Sequence, residues 1–338
     1  MKLKPINEQV VVVFGASSGI GRQTALRFAQ RGAPVVVAAR GAAGLQSLVD
    51  EITRDGGEAT AITADVTDFD QVKAVADGAV DRYGRLDTWV HAAAVAIYAL
   101  FDSTTPEEFK QVIDVNLTGQ AYGAMAALPH LKREGRGALI HISSVEGRRA
   151  YPYHSAYAAS KHGVVALTEA LRVELMHERW PISVTNIMPA SINTPFFNKA
   201  RTKLGVKPAP PPPIYQPSLV ADAILFAAEH PTRELIVGGA GRVQDLSQKF
   251  APGLLDALLA VVAFKAQQTD EPKSSSAPSS LFGPIAGFDR VEGDFTAGAQ
   301  AISPYTWLRT RPALRRGLLA GLAVGTVAAG RARARLSR

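Results

Sequence analysis

Three side chains with complementary chemistry, Ser144, Tyr157 and Lys161, lie within residues 144–161. Positions four apart are neighbours on a helix, so a helix starting near Tyr157 would place the Lys161 ammonium beside the phenol. A free tyrosine has a pKa of about 10, and a nearby cation favours its ionised form. Such a phenol can pass a proton to or from an alcohol or carbonyl oxygen. The Tyr-x-x-x-Lys spacing alone is a weak signal, so the surrounding elements decide its meaning.

A glycine-rich turn stands between a predicted strand and a predicted helix near the amino terminus. Residues 10–14 are apolar, and Gly15, Gly19 and Gly21 follow before a helical run to Arg31. Glycines permit a sharp turn close to a diphosphate, and a helix amino terminus offers free N–H groups. The arrangement predicts a dinucleotide-binding loop, with a plain tight turn as the alternative.

The second predicted strand, residues 34–39, ends with a base where NAD-binding chains usually carry an acid. Arg40 follows at the position from which a carboxylate would bind ribose hydroxyls. A guanidinium suits a 2′-phosphate, which favours NADP(H) over NAD(H). The alternative is a solvated arginine after a strand. Asp65, after a third strand at 59–64, is a candidate adenine contact or a turn former.

Apolar strands alternate with helical segments along most of the chain. Further strands are predicted at residues 88–91, 138–143, 183–188 and 234–237, and helices at 45–55, 69–83, 106–131 and 157–178. This alternation predicts an α/β fold, a Rossmann-like, doubly wound, mainly parallel seven-stranded sheet with helices on both faces. Asn116 lies inside the helix at 106–131, where an asparagine often has a functional role or marks a bend; the alternative is an exposed polar position.

Composition and charge exclude several classes of protein. The chain has 338 residues, 47% hydrophobic and 20% charged, which is typical of a globular protein. Its net charge of +7 belongs to the carboxyl-terminal part, because residues 296–338 contain eight arginines and no acid, leaving 7 − 8 = −1 for the rest. This disfavours a nucleic-acid-binding face on the main domain. The absence of cysteine excludes disulfides, thiolate catalysis and cysteine-ligated metals, and no metal site is predicted.

An ordered set of residues now resembles the classical short-chain dehydrogenase/reductase family over roughly residues 8–240. The set comprises Gly15, Gly19, Gly21, Asn116, Ser144, Tyr157, Lys161 and the segment 189–194. The resemblance implies interconversion of a carbonyl and an alcohol, with Tyr157 as general acid/base and Ser144 orienting the substrate oxygen. It also implies that Lys161 lowers the tyrosine pKa and holds the nicotinamide ribose. Asn116 would anchor a water molecule.

The candidate binding residues follow from these motifs and from the resemblance. The predicted cofactor contacts are Gly15, Ser17, Ser18, Gly19, Ile20, Gly21, Arg40, Asp65, Val66, Tyr157, Lys161, Ile192 and Thr194. The predicted substrate contacts are Tyr98, Tyr151, Tyr153, His154 and Phe196. Aromatic walls of this kind favour a small apolar carbonyl or alcohol.

Two departures from the family pattern fall at the ends of strands predicted to be neighbours. Phe14 stands where the family usually has threonine, and His91-Ala92-Ala93-Ala94 replaces Asn-Asn-Ala-Gly. We interpret the pair of changes as a compensated repacking of the two strands. His91 is expected to be a core histidine with a backbone partner, with a cofactor contact as the alternative.

Residues beyond the predicted catalytic domain, 1–245, extend the chain past the usual family length. They divide into a helical extension at 246–270 with a helix at 246–267, a linker or irregular segment at 271–300 and a basic, Gly- and Ala-rich tail at 301–338. The tail's apolar run at 318–330 is too short to span a bilayer comfortably. Its arginine flanks predict peripheral membrane contact, and a frayed helix in solution is the alternative.

Two other functions compete with the oxidoreductase interpretation. A nucleotide-sugar epimerase or dehydratase is disfavoured, because those enzymes use a different glycine spacing. A catalytically weak NADP-binding module, recruited to a membrane by the basic tail, is disfavoured by the intact Ser144, Tyr157 and Lys161. The sequence predicts a cytoplasmic protein, with possible membrane association, and the resemblance implies a homo-oligomer.

Overall fold

Seven parallel strands form the centre of the computed structural model, which describes residues 1–312 and residue 314. They are β1 (Val11–Phe14), β2 (Val35–Ala39), β3 (Ala59–Thr63), β4 (Thr88–His91), β5 (Gly137–Ile142), β6 (Ile182–Pro189) and β7 (Glu234–Val237). Their order across the sheet is β7-β6-β5-β4-β1-β2-β3. The order reverses beside β1, and ligands of such sheets bind at this switch point, outside the carboxyl ends of the strands. The predicted Rossmann-like fold is confirmed.

Helices cover both faces of the sheet. In chain order they are α1 (Gly19–Gln30), α2 (Ala42–Arg54), α3 (Phe69–Tyr83), α4 (Pro106–Ile113), α5 (Gly119–Arg133), α6 (Ser155–His177), α7 (Phe196–Lys199), α8 (Pro217–Glu229), α9 (Gly239–Phe250), α10 (Pro252–Ala266) and α11 (Pro304–Arg309). Val11 and Val13 of β1 pack into the core formed with α1 and α8, whereas Val12 and Phe14 pack into the opposite core. Both faces of the strand are buried, which explains its unbroken apolar sequence.

The helix predicted over residues 106–131 contains a change of winding. α4 passes into a π-helical turn, Asp114–Thr118, before α5 begins. Asn116 lies in this turn and is fully buried. Its position agrees with the predicted bend and not with an exposed polar residue, because π-turns displace the backbone locally.

Phe14 and His91 are directly paired across β1 and β4, and their rings stack at 5.5 Å between centroids. His141 of β5 continues the stack at 6.5 Å from His91. Among the described residues, neither His91 nitrogen has a hydrogen-bond partner, so the predicted backbone partner is wrong. Burial, with Coulombic repulsion from His141 and Lys161, lowers the pKa of His91 well below its usual value. Both departures from the family pattern therefore belong to one apolar stack of rings.

The extension differs from the single helix predicted at 246–267. α9 begins at Gly239, and the helix breaks at Ala251, whose φ and ψ are −146° and 57°. Pro252 starts α10, because its ring fixes φ and its missing N–H is unneeded in a first turn. Two shorter helices therefore replace the predicted one.

A segment that we call the C-terminal strap, residues 268–295, returns across the catalytic domain. Its first part, Gln268–Pro272, pairs antiparallel with Val206–Pro208. Further along, Leu281 is fully buried and its carbonyl accepts a hydrogen bond from Gln111. The composition of residues 271–280 predicted a linker, yet this stretch packs against the domain. Composition predicts whether a segment tends to be irregular. It does not predict whether the rest of the protein offers a surface on which that segment can pack.

None of the helices in residues 1–312 combines the length and apolar character required to cross a membrane. The predicted basic tail begins three residues before α11, and its apolar run at 318–330 lies outside the described residues. The membrane contact predicted for this part of the tail therefore stays a prediction.

Candidate active site

The glycine-rich turn forms the floor of a cleft at the carboxyl ends of the strands. Gly15 has φ +86°, and a Cβ built there would lie 2.4 Å from the Ala93 nitrogen. A Cβ on Gly21 would lie 2.2 Å from the Gly15 carbonyl oxygen. Only glycine fits at both positions, so no side chain of the turn enters the space that a diphosphate would approach. Ser17, Ser18, Gly19 and Ile20 line the same part of the cleft.

Arg40 lies where β2 ends and lines the cleft as predicted. Its Nη2 donates to the Ser280 carbonyl at 2.6 Å, while Nη1 lies 3.9 Å from an Asp65 carboxylate oxygen. Nη1 is buried and has no hydrogen-bond partner among the described residues. Burial lowers the pKa of Arg40, and Asp65 opposes this effect. An unpartnered guanidinium N–H in a cleft fits a phosphate oxygen.

Asp65 serves mainly as a turn former. One carboxylate oxygen accepts from the Thr67 N–H and hydroxyl at 3.0 and 2.9 Å. Its neighbours Ala64 and Val66 line the cleft, but Asp65 is absent from the lining. The structure therefore favours the second of its two predicted roles.

Tyr157 and Lys161 lie one turn apart on α6, which begins at Ser155. The Lys161 Nζ is 5.4 Å from the Tyr157 ring centroid and donates to the Ile142 carbonyl at 2.9 Å. Lys161 is 1% exposed, and burial lowers its pKa to about 7, with Glu146 opposing. The two side chains are brought together as the spacing predicted.

The pKa of Tyr157 is shifted in the opposite direction from the predicted one. Burial raises it, the Glu146 carboxylate adds to this effect, and the Ser144 hydroxyl opposes it. Lys161 is not among the groups that shift this pKa, and its ammonium donates to the Ile142 carbonyl. The phenol is therefore protonated at neutral pH.

Ser144 follows β5 and lines the cleft, while the hydroxyl of its neighbour is used elsewhere. The Ser144 oxygen accepts from the Glu146 N–H at 3.1 Å, which fixes the turn Val145–Gly147. The Ser143 hydroxyl donates to the Lys161 carbonyl at 2.8 Å. These contacts leave the Ser144 O–H as the hydrogen-bond donor of the pair.

Asn116 joins two segments behind the catalytic side chains. Its amide donates to the Val95 carbonyl at 2.9 Å and its oxygen accepts from the Val95 N–H at 2.8 Å. It also donates to the Ser160 hydroxyl at 3.2 Å. The side chain thereby fixes the loop after β4 against α6.

Four of the five predicted substrate residues line the cleft, namely Tyr98, Tyr151, His154 and Phe196. Tyr153 does not line it. The Tyr153 ring packs on Phe264 of α10 at 5.0 Å, and its hydroxyl accepts from Gln268 at 3.2 Å. The extension therefore holds Tyr153 outside the cleft. Residues 151–154 alone gave no sign of this contact, because Phe264 and Gln268 lie far away in the sequence.

A buried acid in the aromatic wall was missed by the sequence analysis. The Glu146 carboxylate accepts a hydrogen bond from the His154 Nδ1 at 2.8 Å, and both side chains are almost fully buried. The His154 ring lies 4.1 Å from that of Tyr98 and 5.4 Å from that of Tyr157. The sequence did contain a sign of this pair, because Glu146 lies two residues after Ser144 and within the stretch 144–161.

The cleft has two ends, and the residues that line them come from different parts of the sequence. We call the surroundings of Ser144, Tyr157 and Lys161 the catalytic end, and the surroundings of the glycine turn and Arg40 the phosphate end. Ile192 and Thr194, predicted as cofactor contacts, also line the cleft. Lining residues of the phosphate end that were not predicted include Lys199, Ser280, Pro284, Ile285 and Asp289. The last four of these come from the C-terminal strap.

Comparison with known proteins identifies the family. Residues 9–205 match the model of the short chain dehydrogenases. The chain belongs to the short-chain dehydrogenase family. It is therefore an oxidoreductase of that family, as the resemblance implied.

A relative shares the extension as well as the catalytic domain. An uncharacterized oxidoreductase of Bacillus subtilis, YxnA, is 38% identical over 325 residues, covering 95% of this chain and 91% of the relative. An alignment of this length cannot fit within residues 1–245. A 3-oxoacyl-[acyl-carrier-protein] reductase of Thermotoga maritima is 34% identical over 65% of this chain and 90% of its own.

Solved structures match the catalytic domain. A variant actinorhodin polyketide ketoreductase with NADPH has a TM-score of 0.61 and 29% identity, covering 70% of this chain and 98% of its own. An alcohol dehydrogenase of Thermococcus sibiricus complexed with 5-hydroxy-NADP has a TM-score of 0.60 and 25% identity, covering 68% and 95%. Neither structure covers more than 70% of this chain.

Proposed function

We propose that this protein is an NADP(H)-dependent oxidoreductase that interconverts a carbonyl and an alcohol, with Tyr157 as the general acid/base. The observation that carries the proposal is the convergence of Ser144, Tyr157 and Lys161 in a cleft whose other end is a glycine-lined phosphate cradle. The cofactor supplies hydride to or accepts it from the reacting carbon. The protein must therefore supply or remove one proton at the attached oxygen.

The proton chemistry favours carbonyl reduction near neutral pH. Because burial raises the pKa of Tyr157, the phenol holds a proton that it can donate to a carbonyl oxygen. Ser144 donates a second hydrogen bond and orients that oxygen. Lys161 lies beside the phenol, and its charge stabilises the phenolate once the proton has left.

NADP(H) is the proposed cofactor because of the charges at the phosphate end. Arg40 carries a buried N–H without a hydrogen-bond partner in the described chain, at the end of β2. A 2′-phosphate would supply the missing acceptor, whereas a ribose hydroxyl would not balance the charge. The two similar structures with NADPH and 5-hydroxy-NADP support this assignment by analogy.

The proposed substrate is an apolar carbonyl compound or alcohol of moderate size that fits against an aromatic wall. Tyr98, His154 and Phe196 form this wall beside Tyr157. Aromatic rings bind apolar groups through buried area, and the paired Glu146 and His154 add one polar position. Similarity to a 3-oxoacyl-carrier-protein reductase and, at 39% identity over 189 residues, to a 3beta-hydroxysteroid dehydrogenase of Eggerthella lenta suggests substrates for the first panel.

Substitution Tyr157→Phe tests the proposal. Steady-state NADPH oxidation with a panel of ketones, β-ketoesters and 3-ketosteroids should show turnover by the wild type. The variant should lose roughly 10²–10⁴-fold in kcat, because the positioned proton donor is gone. NADPH affinity, measured by the fluorescence of the bound cofactor, should change little.

Tyr122→Phe is the matched control, because Tyr122 packs on Phe69 away from the cleft. It should keep wild-type turnover. Unchanged turnover in Tyr157→Phe would refute the assigned mechanism, and a wild type that binds NADPH but reduces nothing in the panel would contradict the proposed substrate class.

A further inference from the structure

Lys199 is a half-buried cation at the phosphate end that none of the predicted motifs includes. It ends the short helix α7, which follows Thr194 and Pro195. Its Nζ donates to the Ser18 hydroxyl of the glycine turn at 2.6 Å. An ammonium has three N–H donors, and this is its one hydrogen bond in the described part of the chain. Two donors are therefore left for a ligand in the cleft.

The electrostatic surroundings of Lys199 call for an anion. Burial lowers its pKa to about 8, Asp289 opposes this effect, and Arg40 contributes to it. No carboxylate of the described residues forms an ion pair with Lys199, although Asp289 is close enough to influence its charge. Two cations that are partly withdrawn from water and lie near each other repel, and an anion that binds both relieves this repulsion.

The C-terminal strap holds Lys199 and Arg40 around a common point. The Ser280 N–H and hydroxyl donate to the Lys199 carbonyl at 2.8 and 3.2 Å, and the Ser280 carbonyl accepts from Arg40 at 2.6 Å. Both cations line the cleft, and the Arg40 Nη1 is buried without a hydrogen-bond partner in residues 1–312. The strap thereby gathers two positive side chains that lie far apart in sequence.

We propose that Lys199 binds the 2′-phosphate of NADP(H) together with Arg40, and that it is a residue that determines cofactor specificity. The inference rests on the proposed function, because it deepens the cofactor assignment made there. A dianionic phosphate can accept from the free donors of both side chains. NAD(H) has hydroxyls at this position, and these carry no negative charge to attract the two cations.

The Gly19–Arg290 contact shows how the strap supports this arrangement. The Gly19 N–H at the start of α1 donates to the Arg290 carbonyl at 2.9 Å. Asp289 packs so closely on α2 that a Cβ at Gly44 would lie 2.2 Å from its carboxylate. The strap therefore lies directly over the proposed phosphate site, and Asp289 supplies a nearby negative charge in the absence of the phosphate.

Binding of two fragments tests the inference without any turnover. Adenosine 2′,5′-bisphosphate and 5′-AMP differ only in the 2′-phosphate, and calorimetry gives the dissociation constant of each. The wild type should bind the bisphosphate more tightly. In Lys199→Met the bisphosphate should bind at least about tenfold more weakly, because a charge-assisted hydrogen bond is lost. Binding of 5′-AMP should change by less than about twofold, since it lacks the affected group.

Two further variants separate charge from structure. Lys199→Arg keeps a cation and should recover most of the preference for the bisphosphate. Lys203→Met removes a cation from the same loop, where Lys203 pairs with Glu108, and should leave the preference unchanged. Thermal denaturation of each variant shows whether it is folded.

The outcomes distinguish this inference from the proposed function. Equal weakening of both fragments by Lys199→Met would overturn it by indicating a contact with the shared 5′-phosphate. An unchanged preference in that variant would overturn it as well. A wild type without any preference for the bisphosphate would instead refute the NADP(H) assignment itself, whereas the Tyr157→Phe result tests the catalytic proposal separately.

Discussion

At the catalytic end of the cleft, Ser144, Tyr157 and Lys161 come from one strand end and the helix that follows it. The phosphate end combines the glycine turn, Arg40, Lys199 and the C-terminal strap, which are spread over most of the chain. The first end depends on local geometry and the second on long-range packing. Short motifs in the sequence therefore describe one end well and the other only in part.

Among these variants, Gly15→Ala should have the largest effect on cofactor affinity. The substitution disturbs the backbone of the phosphate end and leaves the catalytic side chains in place. The new Cβ would lie 2.4 Å from the Ala93 nitrogen at a φ of +86°. We expect NADPH affinity, measured by cofactor fluorescence, to fall at least about 100-fold.

Gly56→Ala provides a control for the strain of positive φ. Gly56 has φ +83°, and no atom lies within 4 Å of a Cβ built there. This variant should lose about 1 kcal/mol of stability and keep its NADPH affinity. Equal losses of affinity in both variants would show that strain, and not the closeness of Ala93, explains the result.

The stability of the protein should depend on pH through His141, which lies on β5 beneath the catalytic end. Burial lowers the pKa of His141 to about 4, below its usual 6.5. The unfolded chain binds this proton first, so the folded state should lose about 3 kcal/mol as the pH falls from 6.5 to 4. His141→Asn removes the titrating group, and its free energy of unfolding in urea should fall less over that range.

His177→Asn is the control for this measurement, because His177 is exposed in the last turn of α6. It should follow the wild type throughout the titration. If His141→Asn also follows the wild type, the acid sensitivity arises from other groups.

Asp289→Asn should change cofactor affinity least among these variants, and it tests how the Asp289 carboxylate acts on the phosphate end. The Asp289 carboxylate favours the charged form of Lys199 but repels an incoming phosphate. Its removal should raise NADPH affinity by about twofold to fivefold and leave NADH affinity unchanged, since screening limits the effect. Calorimetry with both cofactors measures it.

Asp270→Asn, at an exposed position of the same strap, is the control and should alter neither affinity. A weaker affinity for both cofactors in Asp289→Asn would contradict the repulsion and show that the carboxylate positions the strap.

The sequence was sufficient for the features that depend on neighbours along the chain. Strand alternation predicted the sheet, and the spacing of Tyr157 and Lys161 predicted their contact on α6. The glycine spacing predicted the cradle, where a side chain has no room. Each of these follows from helix or strand periodicity or from backbone sterics.

The remaining features depend on contacts that periodicity does not encode. Tyr153 was predicted at the substrate wall, but α10 packs on it from more than a hundred residues away. Lys199 has an unremarkable sequence context and acquires its role through Ser18 and Ser280. The pKa of Tyr157 was predicted from one neighbour, whereas burial by the whole cleft sets its direction.

The position of the strap also has a kinetic consequence. An enzyme that exchanges its cofactor in every cycle must open whatever lies across the cofactor's path. The strap is joined to the start of α1 through Gly19 and to the end of α7 through Ser280. Under the proposed function, the cofactor would exchange no faster than these hydrogen bonds open, and strap opening would thereby limit turnover.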